Sequence, residues 1–166
     1  MAFAAAVLMM AACAPKAVIE GTVDQASSSE IVVRMLDVNR YRTLDTVAVN
    51  QSGKFSYKVE IEEGQPEFIY LFHNDRRIAS LLLETGDKVN ISADTLGNYT
   101  VEGSEESARL AQVEKEYSAA QARLQAIALQ LETAEGSQAE ALRQQLGKEY
   151  IDYYRQCVKY VLENSR

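Results

Sequence analysis

The hydrophobic period of the chain changes once, at Ser104, and this change constrains the fold more than any other feature. Between residues 17 and 102, apolar residues recur at every second position in short runs that turn-forming residues separate. In the cleanest run, at residues 54–61, four side chains share one face: Phe55, Tyr57, Val59 and Ile61. After Ser104 the spacing becomes three and four. The first part is therefore predicted to be a sheet and the second part to be helical.

The β part is predicted to hold about eight short strands without a helix between them. Regular turn signals between such strands favour an antiparallel β-sandwich or barrel over a parallel sheet. Two turns contain a glycine where positive φ is needed: Asn-Gln-Ser-Gly at residues 50–53, and Glu-Thr-Gly-Asp at residues 84–87. Both are predicted to be hairpin connections, with Gly53 and Gly86 in the left-handed region.

The helical part is predicted to be an antiparallel hairpin. Ser104 can cap the first helix, whose apolar stripe runs through Leu110, Val113, Tyr117, Ala120, Leu124, Ile127 and Leu131. Gly136 is predicted to end this helix, and Ser-Gln-Ala-Glu at residues 137–140 is typical of a capping box for the next one. The stripe of the second helix runs through Leu142, Leu146, Tyr150, Tyr153, Cys157 and Val161. So short a turn makes the helices antiparallel neighbours, and the whole fold is of the α+β class.

Composition argues against several classes of function. The net charge of −7 disfavours nucleic-acid binding, which needs a clustered basic face. The chain has two cysteines, Cys13 and Cys157, and one histidine, His73, so it lacks both a Cys-x-x-Cys motif and the ligands of a His/Cys zinc site. We therefore predict no catalytic residues, no cofactor and no metal site.

The N-terminal segment is predicted to be a targeting signal. Residues 1–12 are almost wholly apolar and shorter than the roughly 20 residues that span a bilayer, which fits a secretory signal. Met-Ala-Ala-Cys at residues 10–13 resembles the lipobox of bacterial lipoproteins, in which the cysteine is lipidated. We expect Cys13 to carry the lipid that anchors the protein to a membrane of the bacterial cell envelope, facing the periplasm. The alternative is a buried apolar segment with an incidental cysteine. The expected division is a signal segment at 1–12, an all-β domain at 13–103 and a helical hairpin at 104–166.

Four groups of residues have both a structural and a functional interpretation. Cys157 is predicted to be a buried core thiol, with a redox-active thiol as the alternative. His73 is predicted to be a turn residue rather than a ligand or base. Glu62-Glu63 and Glu105-Glu106 are adjacent pairs whose side chains diverge, so neither is a catalytic dyad. The tyrosine-rich stretch is predicted to pack within the fold, with a docking surface as the alternative: Tyr150, Tyr153, Tyr154 and Tyr160.

Three short motifs carry a resemblance to a known family. They are Gly-Lys-Phe at residues 53–55, Leu-Glu-Thr-Gly-Asp at 83–87, and Val-Glu-Gly-Ser at 101–104 leading into a charged helix. Together they resemble the uncharacterised N-terminal β-sandwich domain that precedes thioredoxin-like domains in envelope lipoproteins of Gram-negative bacteria. The resemblance covers roughly residues 17–117, and the helical hairpin corresponds to the family's usual connector.

The resemblance implies a non-catalytic accessory role in a membrane-tethered thiol–disulfide redox system. The domain would position a thioredoxin-like domain, in cis or in trans, or bind its client, and the Cys-x-x-Cys motif is expected beyond Arg166. The alternative is a stand-alone envelope lipoprotein that binds a ligand or a protein. An enzyme within this chain is the least supported hypothesis, because no nucleophile–base or metal constellation is visible in the sequence.

Overall fold

The computed structural model describes residues 16–27 and 29–164. Eight strands precede two helices in this part of the chain. The strands are β1 (Lys16–Asp24), β2 (Glu30–Asp37), β3 (Arg40–Ala48), β4 (Lys54–Glu60), β5 (Glu67–His73), β6 (Arg76–Leu83), β7 (Lys88–Asp94) and β8 (Tyr99–Glu102). The helices are α1 (Glu105–Leu131) and α2 (Gly136–Asn164). The predicted α+β fold, a β-sandwich followed by a helical hairpin, is confirmed.

The strands form two four-stranded sheets. Sheet A has the order β4-β1-β7-β8, and sheet B has the order β3-β2-β5-β6. Neighbouring strands are antiparallel except β1 and β7, which pair in parallel from Val18 opposite Lys88 to Asp24 opposite Asp94. A parallel pair needs a long crossover connection. Here the chain between β1 and β7 supplies it by building all of sheet B on the way.

Both turns that were predicted to be hairpins are instead corners between the sheets. Residues 50–53 connect β3 of sheet B to β4 of sheet A, and residues 84–87 connect β6 of sheet B to β7 of sheet A. The hairpin prediction was wrong because turn chemistry reverses the chain without specifying which strand the next one pairs with. The positive φ is confirmed, at 75° for Gly53 and 92° for Gly86. The hairpins of the described chain are β2–β3, β5–β6 and β7–β8.

The corner at residues 84–87 ties three strands together. The Asp87 N–H donates to the Glu84 carbonyl at 3.2 Å, and the Glu84 N–H donates to Asp87 Oδ2 at 3.0 Å. The Gly86 N–H donates to the Lys16 carbonyl at 3.1 Å, and the Thr85 hydroxyl donates to the Ile61 carbonyl at 2.5 Å. The motif therefore joins the β6–β7 corner to the start of β1 and to the residue after β4.

The core lies between the sheets and consists of the inward-facing side chains of both. Its largest fully buried members include Ile19, Ile31, Ile69, Leu71, Leu81, Leu83 and Ile91. Gly21 lies opposite Ile91 in the parallel pair, and a Cβ at position 21 would lie 2.3 Å from the Ile91 carbonyl oxygen. The close approach of β1 and β7 thus requires glycine at this position.

Helix α1 begins as predicted. The Ser107 N–H donates to Ser104 Oγ at 3.3 Å, so the N-cap is confirmed. The Ser107 side chain is fully buried, and its hydroxyl donates to the Leu82 carbonyl at 2.7 Å and accepts the Leu82 N–H at 3.1 Å. Since β6 is an edge strand of sheet B, this serine satisfies backbone groups that point away from the sheet.

The two helices run antiparallel, as predicted. Gln156 Nε2 donates to Glu116 Oε2 at 2.8 Å, and Arg123 Nε lies 3.0 Å from Glu149 Oε2, so positions later in α1 meet positions earlier in α2. Gly136 has a positive φ of 57°, but α1 ends at Leu131 and Gly136 is the first residue of α2, so its prediction as the end of α1 is wrong. The predicted capping box at residues 137–140 is also wrong, because these residues lie inside α2. The chain divides into two compact units, and the boundary between them lies between Ala111 and Gln112.

Candidate functional site

The outer face of sheet B carries a cluster of aromatic and arginine side chains to which all four strands contribute. We call it the aromatic–arginine surface, and its members are Arg34, Tyr41, Phe68, Tyr70, Phe72 and Arg77. Successive side chains of a strand point to opposite faces. Since Ile69 and Leu71 of β5 belong to the core, Phe68, Tyr70 and Phe72 point outward. The outer face of a two-layer sandwich is ordinarily polar, so three outward aromatic residues on β5, an inner strand of sheet B, are unusual.

The rings form a continuous row. Tyr41 meets Tyr70 edge to face with centroids 5.0 Å apart, and meets Phe72 in the same way at 5.3 Å. Phe68 stacks on Tyr70 at 6.4 Å. These separations lie in the range in which aromatic pairs attract beyond simple burial. The row is therefore ordered by its own contacts.

Two guanidinium groups lie over this row. The Arg34 guanidinium carbon is 4.3 Å from the centre of the Phe72 ring, and that of Arg77 is 5.6 Å from the centre of the Tyr70 ring. Both distances are within the range of cation–π attraction. Arg34 also forms an ion pair with Asp75 at 3.2 Å, and the Asp75 side chain is 92% exposed. The Arg34 side chain is 23% exposed, but the Asp75 end of the pair is solvated and therefore weakly held, so a ligand carboxylate can replace Asp75 at Arg34.

The cluster has a buried base and an accessible rim. Tyr70 and Phe72 retain only 9% and 6% of their exposure, whereas Tyr41 and Phe68 are 45% and 38% exposed. A ligand would therefore contact the exposed parts of the Tyr41 and Phe68 rings and the guanidinium groups beside them. Sequence reasoning missed this site because residues 67–72 form an aromatic and β-branched run without clear alternation. The signal that was available is the set of arginines on the flanking strands.

The outer face of sheet A has a shallow depression of about 620 Å³. Its lining includes two lysines and two glutamates, Lys58, Lys88, Glu20 and Glu102, together with Asn90. The opposite charges offset one another, and the depression lacks an aromatic side chain among its lining residues. We therefore regard the aromatic–arginine surface as the stronger candidate.

Cys157 is exposed, so its predicted place in the core is wrong. Cys157 lies one turn beyond Tyr153, the residue whose ring meets Tyr117 at 5.8 Å, so it is on the side of α2 that faces α1. The physical reason for the wrong prediction is that an apolar stripe shows which side of a helix faces its neighbour and does not ensure that every position on that side is covered. A hydrogen bond between Tyr153 and Cys157, with burial adding to it, raises the pKa of Tyr153 to about 12. The predicted lipidation site, Cys13, lies outside the described residues.

The other predicted candidates do not converge on a site. His73 is the last residue of β5 and pairs with Arg76 beside the Asn74-Asp75 turn. Glu62 and Glu63 are exposed in the turn after β4, where Glu62 accepts a hydrogen bond from Gln65. Glu105 and Glu106 lie in the first turn of α1. Within residues 16–27 and 29–164, no group of three or more His, Cys, Asp or Glu side chains could hold a metal ion.

The tyrosine-rich stretch packs only in part. Tyr153 is half-buried against Tyr117 and Tyr160 is 37% exposed, whereas Tyr150 and Tyr154 are 61% and 62% exposed, so the packing prediction is wrong for these two. They belong to an apolar stripe that we call the open face of α2, made of Tyr150, Ile151, Tyr154, Val158, Val161 and Leu162, all exposed. Neither helix of the described chain is long and apolar enough to cross a membrane.

These features define a two-sheet β-sandwich with an outward aromatic–arginine surface, followed by a helical hairpin. The family model described as Domain of unknown function (DUF4369) matches residues 17–110, more than half of the chain. The chain belongs to this family, and its match covers the sandwich and the first turns of α1. No curated protein matches the chain.

Proposed function

We propose that the chain is a non-catalytic accessory part of a membrane-tethered thioredoxin-like system, in which the helical hairpin contacts the redox domain. The redox domain follows in the same polypeptide or belongs to a separate chain. The role is to position that domain against its client proteins, and the lipid on Cys13 keeps both at the periplasmic side of a bacterial envelope membrane.

The observation that carries this proposal is the open face of α2. Six large apolar side chains lie within about three helical turns, and each retains at least 40% exposure. Soluble proteins rarely leave a continuous apolar stripe of this kind on a helix, and such stripes are typical of surfaces that another domain covers. The resemblance of the short motifs at residues 53–55, 83–87 and 101–104 to those of thioredoxin-associated lipoproteins supports the same assignment.

The experiment that tests this proposal combines gene context with a redox assay. We expect an open reading frame that encodes a Cys-x-x-Cys domain, either continuing past residue 166 or in a neighbouring gene. In the presence of the purified chain of residues 16–166, we expect dithiothreitol to reduce insulin at the uncatalysed rate. Catalysis of insulin reduction that is lost in Cys157→Ser would contradict the non-catalytic role.

The membrane tether has its own test. Replacing Cys13 by Ser removes the acyl acceptor, and each buried methylene of the lipid contributes about 0.8 kcal/mol to membrane affinity. We expect the full-length variant to move from the membrane fraction to the soluble periplasmic fraction, whereas Cys157→Ser stays in the membrane fraction. A Cys13→Ser protein that remains in the membrane fraction would refute the tether.

A second function, a stand-alone binding lipoprotein, is favoured by the aromatic–arginine surface. That surface lies wholly within the sandwich and does not involve the hairpin. A binding role for it is compatible with the accessory role, since a client of the redox domain is one possible ligand.

A further inference from the structure

The basic residues of the two sheets are of different kinds. The strands of sheet B contain five arginines and no lysine: Arg34, Arg40, Arg42, Arg76 and Arg77. The strands of sheet A contain four lysines and no arginine: Lys16, Lys54, Lys58 and Lys88. Both residues carry the same charge, so solubility alone gives no reason for this separation. Recognition does, because a guanidinium stacks on rings and binds carboxylates through two parallel hydrogen bonds.

The composition of the aromatic–arginine surface is that of a protein-binding surface. Tyrosine, phenylalanine and arginine are enriched in protein interfaces, whereas lysine is depleted. Residues that contribute most to binding are chiefly tyrosine, tryptophan and arginine. In this surface Tyr41 and Phe68 offer ring area, and the two stacked arginines are already held in place by the rings beneath them. Such ordering lowers the entropy that a ligand must remove on binding.

The charges indicate the chemistry of the ligand. The guanidinium carbons of Arg34 and Arg77 lie 4.3 and 5.6 Å from ring centres, and guanidinium groups bind carboxylates in preference to cations or neutral groups. The net charge of −7 disfavours a nucleic acid, because a polyanion would be repelled by the rest of the molecule. A polypeptide can intersperse its carboxylates with uncharged aromatic residues, so it carries a lower density of negative charge than a nucleic acid, in which every residue bears a phosphate.

We propose that the aromatic–arginine surface binds an acidic polypeptide segment that carries aromatic side chains among its carboxylates. The carboxylates pair with Arg34 and Arg77, and an aromatic side chain of the ligand stacks against Tyr41 or Phe68. This inference does not depend on the accessory role, since it concerns the sandwich rather than the open face of α2.

The test uses a fluorescein-labelled random copolymer of glutamate and tyrosine as the probe and fluorescence anisotropy as the readout. We expect the chain to bind it, and to bind labelled polyglutamate or a single-stranded oligonucleotide at least about tenfold more weakly, a loss of about 1.4 kcal/mol. The variant Arg34→Lys with Arg77→Lys keeps the charge and removes the planar fork, so we expect its affinity for the copolymer to fall about tenfold.

The matched control changes basic residues of sheet A instead of sheet B. Lys58→Ala with Lys88→Ala removes two charges from sheet A and is expected to leave binding unchanged. A Tyr41→Ala variant, expected to weaken binding, covers the case in which the double arginine variant fails to fold, as judged by its thermal unfolding. Failure of the wild-type chain to bind the copolymer, equal binding by the arginine variant, or equal loss in the lysine variant would each overturn the proposal. The proposal would also be overturned if the chain bound the oligonucleotide more tightly than the copolymer, or if self-association of the chain displaced the copolymer.

Discussion

Replacing Ser107 by alanine tests how the first turn of α1 closes the β6 edge of the sandwich. The Ser107 hydroxyl makes two hydrogen bonds with one residue of β6, at 2.7 Å to the Leu82 carbonyl and at 3.1 Å from the Leu82 N–H. The serine is fully buried, so water does not replace it without rearrangement. In the alanine variant the Leu82 N–H loses its partner, whereas the carbonyl keeps only a long contact with Ser104 Oγ at 3.5 Å.

The magnitude follows from the cost of an unsatisfied backbone group. A buried donor without a partner costs about 1–3 kcal/mol, and the weakened carbonyl contact adds to it. We expect the free energy of unfolding to fall by about 2–3 kcal/mol, measured by urea denaturation followed by far-ultraviolet circular dichroism.

The control is Ser118→Ala, an exposed position on the same helix, which should change the free energy of unfolding by less than about 0.5 kcal/mol. If Ser107→Ala were as stable as the wild-type chain, the hydroxyl would not be closing the edge of sheet B. An equal loss in both variants would attribute the effect to the helix alone.

Three further predictions concern single positions. Val38 has φ of 58°, a left-handed conformation that disfavours β-branched side chains, so Val38→Gly should raise the free energy of unfolding by about 1 kcal/mol in urea denaturation; a decrease would contradict the strain. Cys157 is exposed, so iodoacetamide should alkylate it in the native chain at a rate similar to that in urea, measured by peptide mass spectrometry; strong native protection would restore the core interpretation. The hydrogen bond from the Asn98 amide holds the pKa of Asp94 below its ordinary 3.8, so its contribution to stability is present above that pH and is lost as pH falls through the folded-state pKa. The stability of Asp94→Asn should therefore depend less on pH below 3.8 in urea denaturation, and an unchanged acid dependence would refute this.

The sequence predicts strands and their inward faces where alternation is strict. Residues 54–61 are the best example, since Phe55, Val59 and Ile61 are buried as expected. Alternation fails where the ladder is irregular. Strict alternation would place Leu44 and Val47 on opposite faces, yet both pack against the core, because the register shifts at Leu44, which has no partner in β2. A bulge of this kind resets the faces and leaves no simple mark in the sequence.

Strand pairing was harder to predict from the sequence than strand position. A glycine turn with period-two flanks is compatible with a hairpin and equally with a corner between two sheets, and only packing of the whole core decides between them. The parallel pair of β1 and β7 has the same origin, since it joins segments that are distant in sequence.

The candidate site was hidden for a related reason. Tyr70 and Phe72 look like core residues in the sequence, but the position of β5 in sheet B and the inward direction of Ile69 and Leu71 turn them outward. The exposure of Cys157 was missed because an apolar stripe shows which side of a helix faces its neighbour but not whether each position on that side is covered. In each case an apolar pattern indicates burial but does not name the element that supplies it.

The binding role of sheet B is tested most directly by nuclear magnetic resonance of the isotope-labelled chain during titration with the unlabelled copolymer of glutamate and tyrosine. We predict that the largest shifts occur at the Arg34 and Arg77 side-chain Nε–H groups and at the rings of Tyr41 and Phe68, while sheet A and α2 change little. Shifts concentrated around Lys58 and Lys88, or along the open face of α2, with sheet B unchanged, would contradict the account.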